Sequence, residues 1–122
     1  PPADKITILF LAANPLDKDL PSYLRLLGKF VDNHRGEPDR IRGSLAAGDH
    51  GEAQRLAHSL KGVAAMLGAL QVQSAALQVE MAVREHREAA EIESAIGELQ
   101  AILDPTLAAL AELLPGEEST GQ

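Results

Sequence analysis

The sequence predicts an all-α protein: an antiparallel up-and-down four-helix bundle, with an N-terminal extension or short helix capping one end. Three observations predict it. The hydrophobic fraction of 45% is supplied by Ala and Leu, with 2% aromatics, no Trp and one Tyr. Ala and Leu lead the helix propensity scale, whereas strands favour β-branched and aromatic residues. Apolar residues step 4-3-4, as in Ile92, Ile96, Leu99 and Leu103, and again in Leu103, Leu107, Leu110 and Leu114, which is the period of a helix buried on one face. Short turns marked by Gly and Pro join these segments, as an up-and-down bundle requires.

The 122 residues make one domain. Residues 1–22 are read as an N-terminal arm or short helix, 23–114 as the bundle and 115–122 as a disordered tail. Lys5 to Leu11 has the composition of a strand, but a lone strand has nothing to pair with here. It is therefore expected to cross one end of the bundle as a helix or an extended arm. Asn14-Pro15 offers a cap and a Pro at the first helical position, and Pro21 limits that helix to about a turn and a half. Pro21 or Ser22 opens the next helix, with Tyr23, Leu27, Phe30 and His34 on one face, Leu24 and Val31 beside it, and Gly36 ending it. Pro38 to Ala47 follows, buried through Ile41 and Leu45, and Gly48 to Gly51 is a turn.

The next helix spans Gly51 to Leu67 and closes at Gly68 as a C-terminal cap. The helix after it, Gln71 to His86, carries two stripes, Leu70-Ser74-Leu77-Met81 and Val72-Ala76-Val79-Val83. Two packed neighbours account for both; a docking patch on part of the second is the alternative. The last helical region, Glu88 to Leu114, is broken at Asp104-Pro105, where a kink or a restart capped by Asp104 is expected.

Composition excludes several functions. Without cysteine there is no disulfide, zinc-thiolate site or thiol catalysis. A net charge of −7 without a basic stripe argues against nucleic acid. No apolar run approaches the roughly 20 residues that span a bilayer, so no direct membrane contact is expected. There is no Gly-rich phosphate loop and no kinase ATP-binding region. The opening Pro-Pro, without Met, suggests a domain cut from a longer polypeptide.

The candidate site lies in Ala57 to Ala69. Leu56, Leu60, Val63 and Leu67 form an apolar stripe, and His58 falls about 190° from its centre at about 100° per residue. His58 should therefore face solvent, beside Gln54, Lys61, Gly62 and Ala65. A helix glycine costs about 1 kcal/mol relative to Ala, so Gly62 calls for a reason.

A histidine, a lysine three residues on and a glycine four residues on, followed by small residues and Leu67-Gly68-Ala69, is a pattern that strongly resembles the histidine phosphotransfer (HPt) domain of bacterial two-component phosphorelays. The resemblance runs from roughly Tyr23 to Leu110. It implies that His58 accepts a phosphoryl group from a receiver-domain phospho-aspartate and passes it to another receiver's aspartate. It also implies that response-regulator receivers are the partners, with Mg²⁺ in the receiver and no cofactor in this chain. A hybrid sensor kinase is the expected parent, and the location is cytoplasmic, either free or at the cytoplasmic end of a membrane-anchored kinase. Imidazole is nucleophilic near neutral pH and can hold a phosphoryl group covalently. Lys61 would offset phosphoryl charge, Gly62 would keep the approach open, and Gln54, Ala65 and Ala69 would form the receiver docking face.

His34, His50 and His86 lie at helix ends or in turns and are read as structural or solvated. Glu52, Glu80 and Glu85 show no metal-ligand spacing with His58, so no metal site is expected. Two other functions fit the same bundle. One is a non-catalytic helical adaptor, which the intact His58, Lys61 and Gly62 disfavour. The other is a substrate domain phosphorylated directly from ATP by a chemotaxis-type kinase core; sequence flanking Pro1 would separate a hybrid kinase from a free-standing protein.

Overall fold

The structure, a computed structural model, describes residues 2–13 and 20–114. The expected helix start at Asn14-Pro15 and the tail at 115–122 lie outside these residues. Six helices are present among them and no strand: α1 (Ala3–Ala13), α2 (Leu20–His34), α3 (Glu37–Ala46), α4 (His50–Leu67), α5 (Leu70–Arg84) and α6 (Ala89–Leu113). α3, α4, α5 and α6 pack in a ring, each on the next, and α6 closes back on α3. α2 sits against α4 and α6, as α3 does, so α2 and α3 share the fourth corner.

α1 is a helix despite the strand-like composition of Lys5 to Leu11, because a helix satisfies its own backbone and needs no partner edge. It packs on α2, α5 and α6 and buries Ile8 completely. Its Asp4, also buried, accepts hydrogen bonds from the backbone N–H of Gln71 (2.9 Å) and Val72 (2.8 Å). Those donors open α5, whose own cap residue, Ala69, has no side-chain acceptor. Asp4 thus caps α5 from a distant part of the chain.

α2 buries Tyr23, Leu27, Phe30 and Val31, and the Tyr23 hydroxyl donates to the Leu67 carbonyl at the end of α4 (3.0 Å). The α2–α3 joint turns on Gly36 at φ 76°, a left-handed conformation natural to glycine. Arg40 donates to the carbonyls of Asn33 (2.8 Å) and Arg35 (3.0 Å) and to Glu37 Oε1 (2.8 Å), while His34 Nδ1 lies 2.9 Å from the same oxygen. Burial alone would raise the Glu37 carboxyl, but His34 and Arg40 hold it below the usual carboxylate range. Asp49 caps α4 through the Glu52 N–H (3.0 Å), and Gly68 at φ 84° ends it.

Two expectations are corrected. α6 is one helix through Pro105, so the restart capped by Asp104 does not occur. Pro105 faces solvent, so the backbone bond it removes falls where water can satisfy the freed carbonyl, while Leu103, Thr106, Leu107 and Leu110 keep the core face. On α5, Val72, Ala76, Val79 and Val83 are core, so that stripe is not a docking patch; on the other stripe Leu70 and Ser74 are exposed.

Candidate functional site

The buried stripe of α4 is Ala53, Ala57, Leu60, Ala64 and Leu67, with Leu56 and Val63 only partly covered. Its centre is rotated toward the alanines, so His58 lies about 140° from it rather than opposite. That rotation brings the His58 side of α4 beside α5. The imidazole remains 66% exposed. Its Nδ1 is 2.9 Å from Glu80 Oε2. Lys61 Nζ is 2.8 Å from the other oxygen, Oε1, and Arg84 Nη1 is 3.7 Å from Oε2. Glu80 itself is 3% exposed, in the wall between the two helices.

Burial alone would raise the Glu80 carboxyl. The hydrogen bonds and charges of Lys61 and His58 outweigh it and hold Glu80 below the usual range, so it is ionised. An ionised carboxylate only accepts, so the imidazole donates from Nδ1–H. In a neutral ring the lone pair is then on Nε2, on the far side from Glu80. One carboxylate shared by the cations Lys61 and Arg84 leaves a local excess of positive charge, in a chain whose net charge is −7.

Gly62 is exposed, and a Cβ placed there meets nothing within 4 Å. Ala65 is exposed and Gln54 half-buried on the same side of α4. Ala69 does not belong with them. Its N–H bonds to the Ala64 carbonyl (2.8 Å), the turn folds it into the core, and it is fully buried. Farther along the exposed side, Met66 is 62% exposed and borders a shallow groove with Leu26, Lys29, Phe30, Asn33 and Val63. The surface depressions around Arg42 and Ile92 and around Gly36 and Leu107 do not include His58.

Sequence reasoning misses Glu80 as a partner of His58. A signal for it exists: a carboxylate in the apolar run Val79 to Val83 needs a cation, and Lys61 on the neighbouring helix supplies one. His34 is tied to Glu37 at the α2–α3 joint. His50 and His86 face each other, ring centroids 5.7 Å apart, at the other end of α4. Among the described residues no three His, Asp or Glu are grouped to hold a metal, and no helix is long and apolar enough to cross a membrane.

A helical bundle with an anchored, outward imidazole beside a lysine and an open glycine has the parts that a covalent group carrier working against a protein partner would need. The family comparison agrees: residues 25–115 match the Hpt domain family, and the chain belongs to it. Comparison with curated proteins and with solved structures gives no match. The chain is therefore a histidine phosphotransfer domain of a phosphorelay, and its partners are receiver domains of response regulators.

Proposed function

We propose that His58 carries the phosphoryl group. The observation that supports it most directly is the pairing of an exposed imidazole with a buried, ionised anchor, Glu80, on its inner nitrogen. The anchor fixes the ring and leaves Nε2 as the nucleophile. A docked receiver brings its aspartyl phosphate to Nε2. The lone pair forms the N–P bond as the acyl-phosphate P–O bond breaks, and the aspartate leaves as a carboxylate. Transfer to a second receiver reverses these steps. Positioning and charge stabilisation supply most of the rate in such transfers. Lys61 supplies charge from this side; Mg²⁺ is assigned to the receiver.

The proposed docking face is His58, Gly62, Ala65 and Gln54, extended along α4 by exposed Met66 and by Leu26, which lines a groove with it. The first donor is proposed to be a receiver in a hybrid kinase carrying this domain, in the cytoplasm.

The test is His58→Gln. It should fold normally, since exposed substitutions usually stay within about 0.5 kcal/mol, and accept no acid-labile, base-stable phosphate from a phosphorylated receiver. His34, His50 and His86 variants should still accept it. Phosphate on the His58→Gln protein would defeat the assignment, and normal signalling by that variant in cells would favour the adaptor reading.

A further inference from the structure

We infer that Glu80 has a second task, resting on the assignment of His58: it keeps the Nδ1 proton on the phosphorylated ring and so keeps phospho-His58 able to give its phosphoryl group away. The chemistry starts from the neutral imidazole with Nδ1–H. When Nε2 bonds to phosphorus, no proton leaves Nδ1, and the ring gains one positive charge. Two states then compete. If the proton is lost to water, onward transfer must break the N–P bond and expel an imidazolate anion, a poor leaving group. If the proton stays, the same bond breaks to release neutral imidazole.

The geometry favours the second state. The carboxylate is 2.9 Å from Nδ1 and almost fully buried. A negative group at that distance stabilises the cationic ring through charge and hydrogen bond together. Glu80 also cannot swing away easily, because it is buried in the wall between α4 and α5 and Arg84 lies on the same carboxylate. His58 and Lys61 from α4, with Arg84 from the next turn of α5, are the charged or titratable side chains paired with Glu80 among the described residues.

The pairing also balances across the reaction. Before transfer, Glu80 neutralises Lys61 while the ring is uncharged. Afterwards the ring is cationic and takes over Glu80, and Lys61 is free to move to the phosphoryl oxygens. Lys61 is partly exposed, with 26% of its side chain accessible, so it can make that move. Each new charge meets an opposite one already in place.

The experiment loads the whole protein with phosphoramidate and follows the ³¹P resonance of phospho-His58 from pH 5 to pH 10, beside a phosphorylated peptide spanning the same residues. The ring of the folded protein should hold its proton to a pH higher than the peptide by about one unit or more, the range an adjacent opposite charge produces. Glu80→Gln keeps the shape and an acceptor but not the charge, and its titration should fall back toward the peptide. The rate of phosphate loss to water should follow the same order, declining at lower pH in the variant than in the wild type. The wild-type measurement stands even if the variant folds poorly. Phosphate on His58 that titrates as in the peptide would overturn this inference alone. Phosphate that never appears on His58 would overturn the phosphoacceptor assignment and this inference with it.

Discussion

Gly62 gives a test in which stability and function should move in opposite directions. A helix-interior glycine is about 0.8–1.0 kcal/mol worse than alanine. The space around it is open: a methyl group at this position would find no atom within 4 Å, and the residue itself is exposed. Gly62→Ala therefore gains the propensity term without a clash and without new burial. At about 2.1 cal/mol/K per residue, unfolding this chain carries an entropy near 0.26 kcal/mol/K, so the gain raises Tm by roughly 4 °C. Gln is also a good helix former, so Gly62→Gln should melt at or above the wild type. Yet its side chain would stand beside His58, where the receiver must approach.

The assay pairs thermal unfolding by circular dichroism with phosphotransfer from a phosphorylated receiver. The expected result is a raised Tm in both variants, with transfer reduced in Gly62→Ala and abolished in Gly62→Gln. Gly43 on α3 is the control, being exposed and equally open. Gly43→Ala and Gly43→Gln should gain similar stability and leave transfer unchanged. Transfer that survives glutamine at position 62 would refute the access argument. A Tm that falls in Gly62→Ala would refute the helix geometry beneath it.

Three further outcomes are expected. Lys61→Ala should slow transfer by up to about 10²–10³-fold, as loss of one charge-stabilising donor does, and should cost about 1 kcal/mol, because buried Glu80 keeps His58 and Arg84; single-turnover kinetics and thermal melts measure the two effects. Asp4→Ala should destabilise the fold by about 1–2 kcal/mol through the lost cap on α5, read as a lower urea midpoint with an unchanged m-value. Glu37 and Glu80 are both held below the usual carboxylate range in the folded state, so the unfolded chain takes up their protons first as pH falls. Their contribution is present above the unfolded value near 4.3 and is lost as pH drops through the folded values. Urea midpoints at pH 7 and pH 3 should show this loss, and Glu37→Gln should flatten the difference while lowering stability at pH 7.

Much of the architecture is legible because it is written in residues with a single local meaning. Gly36, Gly48 and Gly68 all adopt positive φ, and Asp49 caps the helix that carries His58. The positions of α2 to α6 follow from these and from the leucine and isoleucine stripes. Other features depend on distant partners. Lys5 to Leu11 has strand composition, and its helical state follows from the lack of an edge to pair with. The acceptor for the start of α5 is Asp4, 67 residues before the first donor it serves, and no local pattern signals it. Pro105 reads as a break in one dimension; only its outward orientation explains why α6 continues.

The site itself depends on what is least visible in a sequence, the alanines. Ala53, Ala57 and Ala64 of α4 and Ala75, Ala76 and Ala82 of α5 are all buried, and α4 with α5 is the most extensive helix pairing in the fold. A hydrophobic stripe judged by large residues puts the weight on Leu56 and Val63, which are only partly buried. Small residues set the interaxial distance, because helices approach most closely where side chains are short. That close approach is what lets a glutamate on α5 reach both His58 and Lys61 on α4 while staying buried. With leucines along the same seam the axes would stand farther apart, and the carboxylate would lose either its burial or its two partners. The small residues around His58 therefore do two separate jobs. Those on the outer side clear the path for a receiver, and those on the inner side bring Glu80 to the ring.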